Sequence, residues 1–75
     1  MGTVSILIYV REQLDEAARH LIDTHLRALP GVVAPWFSPW QQQSIMIYYN
    51  PEKTTVLALV HSMRRYGYNA LIVGL

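Results

Sequence analysis

Hydrophobic and polar positions change rhythm repeatedly along this chain. From Thr3 to Val10 they alternate: Val4, Ile6, Ile8 and Val10 point one way, and Ser5, Leu7 and Tyr9 the other. Period two with β-branched residues predicts a strand. From Glu12 to Leu29 the period becomes helical. At about 100° per residue, Leu14, Ala18, Leu21, Ile22, His25 and Leu29 share one sector. Glu12, Glu16, His20, Asp23 and Arg27 fall opposite. Arg19–Asp23 and Asp23–Arg27 stand at i,i+4, a spacing that gives weak ion-pair support. Pro30-Gly31 ends the helix, because proline cannot continue it and glycine tolerates the turn.

Val32 to Phe37 predicts a second strand. Pro35 interrupts it and cannot donate to a ladder, so the position belongs at an edge or a bulge. Ser38-Pro39 marks a turn. Ser44 to Tyr49 alternates again, with Ile45, Ile47 and Tyr49 on one face and Met46 and Tyr48 on the other, until Asn50-Pro51 breaks the run. Thr54 or Thr55 caps a second helix through its hydroxyl. That helix extends to Tyr66, turns Val56, Leu59, Val60 and Met63 inward, and stops at Gly67. Asn69 to Val73 is the last strand. The order β-α-β-β-α-β predicts an α+β, ferredoxin-like fold: a four-stranded antiparallel sheet with two helices on one face.

Seventy-five residues make a single domain, 1–75. A chain this short is marginal unless its core is dense or a partner helps. The composition, 52% hydrophobic and 15% charged, suits a dense core. The net charge of +1 is too small for an electrostatic nucleic-acid footprint. There is no cysteine, which excludes a disulfide framework. No apolar run approaches the ~20 residues that span a bilayer. Val4–Val10 also lacks a basic leader and a cleavage site, so a cytoplasmic location is expected, with tethering through a transporter kept open.

Leu29-Pro30-Gly31-Val32 after the first helix, Tyr49-Asn50-Pro51-Glu52-Lys53-Thr54 before the second and Gly67-Tyr68-Asn69-Ala70 after it recur at a recognisable spacing. From Val4 to Leu71 the chain resembles the heavy-metal-associated domain of copper and mercury chaperones and of metal-pumping P-type ATPases. The resemblance implies a role in metal homeostasis, as a cytosolic regulatory or docking module of such a transporter or a related protein. It also exposes a departure. That family carries a Gly-Met-x-Cys-x-x-Cys loop, and the matching stretch here is Glu12-Gln13-Leu14-Asp15-Glu16-Ala17-Ala18. Asp15 and Ala18 occupy the two thiolate positions. A soft cation such as Cu(I) is held by soft sulfur, which a carboxylate and a methyl group cannot replace. Thiolate metal transfer is therefore not expected. The loop has lost its glycine and is expected to wind into an extended first turn of the helix, with Asp15 capping or solvating its start.

Other chemistry is sparse. Glu12, Glu16 and His20, at i, i+4 and i+8, form a ladder that suits zinc, nickel or cobalt, or else a solvated helix face. His25 reads as a packed helix-edge side chain and His61 as solvated. No nucleophile lies in a catalytic context and no glycine loop cradles phosphate, so an enzyme is not expected. The strongest positive signal is the sheet face opposite the helices. Leu7, Tyr9, Met46, Tyr48, Leu71 and Val73 all fall there, where an ordinary solvated face would alternate to polar residues. Trp36, Phe37 and Trp40 lie on the neighbouring hairpin, and aromatic residues are favoured at interfaces. A protein partner, or a second copy in a homodimer, is the expected occupant. Base stacking on Tyr9 and Tyr48 is the alternative use of such a face; no basic-glycine-aromatic motif accompanies those tyrosines, and no nucleic acid is expected.

Overall fold

The computed structural model describes residues 2–74; Met1 and Leu75, the ends of the expected domain, lie outside the described residues. The elements run β1 (Val4–Val10), α1 (Glu16–Arg27), β2 (Val32–Phe37), β3 (Ser44–Tyr49), α2 (Val56–Arg65) and β4 (Ala70–Gly74). The strands form one sheet in the order β2-β3-β1-β4, and every neighbouring pair is antiparallel. This is the ferredoxin-like arrangement, with α1 packed over β2 and α2 over β4.

The alternation in β1 and β3 sets the two faces. Ile8 stands opposite Ile45 and Ile6 opposite Ile47, and all four are buried under the helices. Fully burying an aliphatic side chain of this size contributes about 1.5–3 kcal/mol, so the central strands carry much of the core. Val10, Tyr49 and Ala70 complete the sheet side; Leu59, Val60 and Met63 come from α2, Ile22 and Leu26 from α1, and Leu14 from the loop before it. Val56 packs against this cluster from the rim.

Helix α1 is shorter than its periodicity predicts. It begins at Glu16, because Asp15 adopts extended backbone and its Oδ1 accepts from the Ala18 amide at 2.8 Å. Residues 12–14 are therefore not a first helical turn but a loop. The buried stripe also differs: Leu26 is fully buried, while Leu21 stays exposed. With Ala18, Ile22 and Leu26 spaced i,i+4, the helix rests on that line rather than on the one through Leu21. Of the two expected ion pairs on α1, Asp23–Arg27 forms at 2.9 Å. Arg19 turns instead to the Leu14 and Ser38 carbonyls, at 3.1 and 3.2 Å.

Helix α2 is capped by Thr55, whose hydroxyl accepts from the Ala58 amide at 3.1 Å. Its end is closed by Gly67, at φ +92°: the Tyr68 amide donates to the Met63 carbonyl and the Gly67 amide to the Arg64 carbonyl, the Schellman pattern. Gly31, at φ +91°, makes the return into β2, and its carbonyl accepts from the Asn50 amide at 2.7 Å. Strand β2 is an edge strand with an irregular register between Val32 and Ala34, the setting that Pro35 requires.

Candidate functional site

Two surfaces carry the candidate residues: the loop joining β1 to α1, and the sheet face turned away from the helices.

The loop, Arg11 to Asp15, is tied down from both sides. The Arg11 amide donates to the Asn69 carbonyl at 3.0 Å and the Leu14 amide to the Gln42 carbonyl at 3.1 Å. The Gln43 side chain donates to the Arg11 carbonyl at 2.6 Å. Asn69 then meets Glu12 twice, its backbone amide reaching Oε1 at 2.9 Å and its Nδ2 reaching Oε2 at 2.6 Å. Hydrogen bonding to the ionised carboxylate, above all from the Asn69 backbone amide, holds the Glu12 pKa below its ordinary value against the opposing effect of desolvation. Arg19 braces the end of the loop through the Leu14 carbonyl while its guanidinium lies 6.0 Å from the centre of the Phe37 ring.

This geometry changes the reading of the proposed ligand ladder. Glu12 is off the helix and faces Asn69, so it does not share a helical face with Glu16 and His20. Glu16 and His20 remain on α1, beside a shallow hollow shared with Arg19, Asp23 and Phe37. Among the described residues, no group of three or more His, Asp or Glu side chains is placed to hold a metal ion. His25 stacks on Tyr66 across the two helices, with ring centres 3.8 Å apart and planes 19° from parallel. His61 is exposed on α2.

The second surface follows from the register. Tyr48 stands between Ala34 and Ser5; Met46 stands between Trp36 and Leu7; Tyr9 stands between Ser44 and Leu71. These rows lie on the face away from Ile45 and Ile47. Side chains of Leu7, Tyr9 and Met46 are half-buried among their neighbours, while Tyr48, Leu71 and Trp36 are exposed, Trp36 to 51%. No row contains a charged residue. Trp40, 86% exposed, projects from the β2–β3 connection. Val73 is exposed but falls where the β1–β4 register slips, between the Ile8↔Ile72 and Leu7↔Gly74 partners, so the simple alternation does not place it.

Phe37 departs from its expected place. It pairs with Ile45, on the helix side, and packs half-buried against the core under Arg19. The alternation within β2 accounts for this, since Trp36 and Phe37 are consecutive and must point to opposite faces. Sequence reasoning also missed Asn69. Its place in Tyr68-Asn69-Ala70 was legible as part of a motif, but nothing local pairs it with a glutamate fifty-seven positions earlier.

Among the described residues, no helix is long and apolar enough to cross a membrane. No family model and no curated protein matches the chain by sequence. Solved structures do match. The N-terminal domain of a potential copper-translocating P-type ATPase from Bacillus subtilis, in its Cu(I)-loaded state, superposes with a TM-score of 0.86 at 19% identity, over 97% of this chain and 90% of that one. Oxidized MerP from Ralstonia metallidurans CH34 gives 0.82 at 15% identity, over 95% and 97%. The yeast copper transporter domain CCC2A gives 0.80 at 23% identity, over 92% and 93%. The chain therefore has the fold of the heavy-metal-associated domains, built here without cysteine.

Proposed function

We propose that residues 1–75 form a single cysteine-free domain of the heavy-metal-associated type that serves metal homeostasis as a regulatory or protein-docking module. It works in, or beside, a heavy-metal P-type ATPase on the cytosolic side, without catalysis and without passing metal between thiolates. The observation that carries this reading is the uncharged sheet face bearing Trp36, Tyr48, Leu71 and Met46. Water-exposed aromatic and aliphatic side chains on one continuous face favour contact with another polypeptide.

Two features support a contact role over ion carriage. Asp15 uses one carboxylate oxygen to accept from the Ala18 amide, and Glu12 uses both oxygens to accept from Asn69. Glu16 and His20 are then the remaining members of the divalent-ion ladder, and two ligands on an exposed helix hold zinc weakly. Against nucleic acid, the face supplies rings but no cation to meet phosphate.

The test is an amide chemical-shift titration of the labelled domain with the cytosolic domains of a heavy-metal P-type ATPase. Shifts centred on Leu7, Met46, Tyr48 and Leu71, abolished by Trp36→Ala with Tyr48→Ser, support the reading. Calorimetry with zinc, nickel and cobalt runs in parallel: tight binding lost in the Glu16→Ala, His20→Ala variant would replace it with the metal reading.

A further inference from the structure

Strand β4 forms one edge of the sheet, and it is apolar on both faces. In the order β2-β3-β1-β4 it has β1 on one side and no strand on the other. Leu71, Ile72 and Val73 are each more than half exposed, at 52%, 53% and 57%. Leu71 stands beside Tyr9, on the face away from the helices. Ile72 stands opposite Ile8, which is fully buried on the helix side. The core therefore stops short of Ile72, and an aliphatic side chain on the covered side of the sheet is left in water.

The backbone of this edge is open as well. The Asn69 carbonyl accepts from the Arg11 amide and so faces β1. Peptide groups along an antiparallel strand alternate in direction. Leu71 then also faces β1, while Ala70 and Ile72 direct their amides and carbonyls outward. The Ala70 carbonyl agrees with this, accepting from the Arg64 guanidinium of α2 at 3.1 Å. Arg64 serves that position, and Ile72 is the next one along the edge. The register slip at Val73 comes after Ile72 and does not alter it.

An outward row of peptide groups is completed by another strand. Leu71 and Ile72 require that strand to be apolar on both faces. The segment from Gly67 to Leu75 meets its own requirement, having no charged residue and no proline. Short, β-prone, uncharged segments of this kind pair with copies of themselves. The opposite edge does not qualify, because β2 holds Pro35 and an irregular register. One open edge per chain closes into a pair instead of growing into a fibre.

We propose that two copies of this chain pair through β4, antiparallel about a two-fold axis at Ile72. The two Ile72 residues exchange both backbone hydrogen bonds and cover each other's side chains. The Ala70 carbonyls keep their Arg64 partners. At about 3.4 Å per residue these carbonyls lie ~14 Å apart along the edge. That exceeds the ~8 Å Debye length of physiological salt, so the two guanidiniums do not oppose the pair. Pairing sets the two uncharged sheet faces side by side, and it stands independently of the docking reading.

Sedimentation equilibrium of the native chain tests the proposal. A single strand edge buries less than the ~1,200 Å² of stable complexes, so monomer should give way to dimer between about 10 μM and 1 mM. Ile72→Lys should weaken self-association at least tenfold, roughly 1.4 kcal/mol. Ile72→Pro should do the same by removing the outward donor alone, and unchanged Tyr9 and Leu71 amide shifts report that the β1–β4 ladder persists. Trp36→Ala with Tyr48→Ser should leave the dimer intact. A chain that stays monomeric throughout, a dimer indifferent to Ile72→Lys, or species that grow beyond two copies overturns the proposal. So does a dimer lost in the Trp36, Tyr48 variant alone, which would place self-contact on the sheet face.

Discussion

Asn69 grips Glu12 with two donors, its backbone amide and its side-chain amide, one to each carboxylate oxygen. The pair joins the start of β4 to the loop between β1 and α1, the loop that carries the metal ligands in the family this chain resembles. A carboxylate and an amide hold that loop to the body of the protein where no sulfur is present.

The clamp requires an ionised Glu12. Its pKa is depressed below the ordinary 4.5, chiefly by the Asn69 backbone amide. A depressed carboxylate contributes its stability fully above the ordinary value, and the contribution fades as pH falls through the lowered one. The Asn69 backbone and Nδ2 resonances should therefore move together below pH 4.5. In Glu12→Gln that transition should vanish while the fold persists. A pH-independent Asn69 in the native chain would contradict the clamp.

Removing either helix cap should cost a similar amount. Asp15→Ala and Thr55→Ala each delete one acceptor for an otherwise unpaired amide, that of Ala18 or of Ala58. Each loss is expected near 1 kcal/mol. For a domain of this size, thermal unfolding should shift down by about 4–8 °C per kcal/mol. Identical melting curves for native and Asp15→Ala chains would mean that water replaces the cap.

The two turn glycines should separate cleanly. Gly67 and Gly31 have nearly equal φ, but a Cβ at Gly67 meets open space. At Gly31 it would come within 2.9 Å of the Lys53 Cβ and 3.2 Å of the Lys53 carbonyl carbon. Gly67→Ala should cost about 1–2 kcal/mol from backbone strain alone. Gly31→Ala should cost clearly more, because the Asn50–Thr54 turn must also move. Denaturant midpoints for the two variants decide the order.

Restoring sulfur tests whether the frame still fits a soft ion. Asp15 and Ala18 are already neighbours at the helix start, where the Ala18 backbone amide donates to the Asp15 carboxylate at 2.8 Å. Asp15→Cys with Ala18→Cys places two thiols at a helix N-terminus, where thiolates are favoured. The double variant should take Cu(I) from a colorimetric chelator while the native chain does not. If it stays folded and empty, adding Glu12→Ala should free the loop and recover binding; continued failure would mean that the loop path itself has diverged.

The periodicities of this chain were legible because each one reports burial that its own strand or helix must satisfy. Ile45, Ile47 and Tyr49 lie inward as their alternation requires, and Pro35 sits on an edge because it lacks a donor. Thr55 was readable as one of two adjacent cap candidates, and Asp15 as a residue that caps or solvates the helix start, because a cap reaches only three residues. Phe37 and Leu21 were misread for a related reason. Composition marks a side chain as apolar, but only the register of β2 and the seat of α1 decide which apolar side chain faces the core.

The local pattern thus determined the elements, their order and the loss of thiolate chemistry, since period, turn residues and the absence of cysteine are properties of short stretches. Tertiary structure alone decided that Glu12 belongs to Asn69 and not to His20, and that Trp36, Met46 and Leu7 form one row across three strands. Each of these relations joins residues far apart in the chain. Their geometry is fixed by strand register and helix packing, which depend on all the elements closing around one core together.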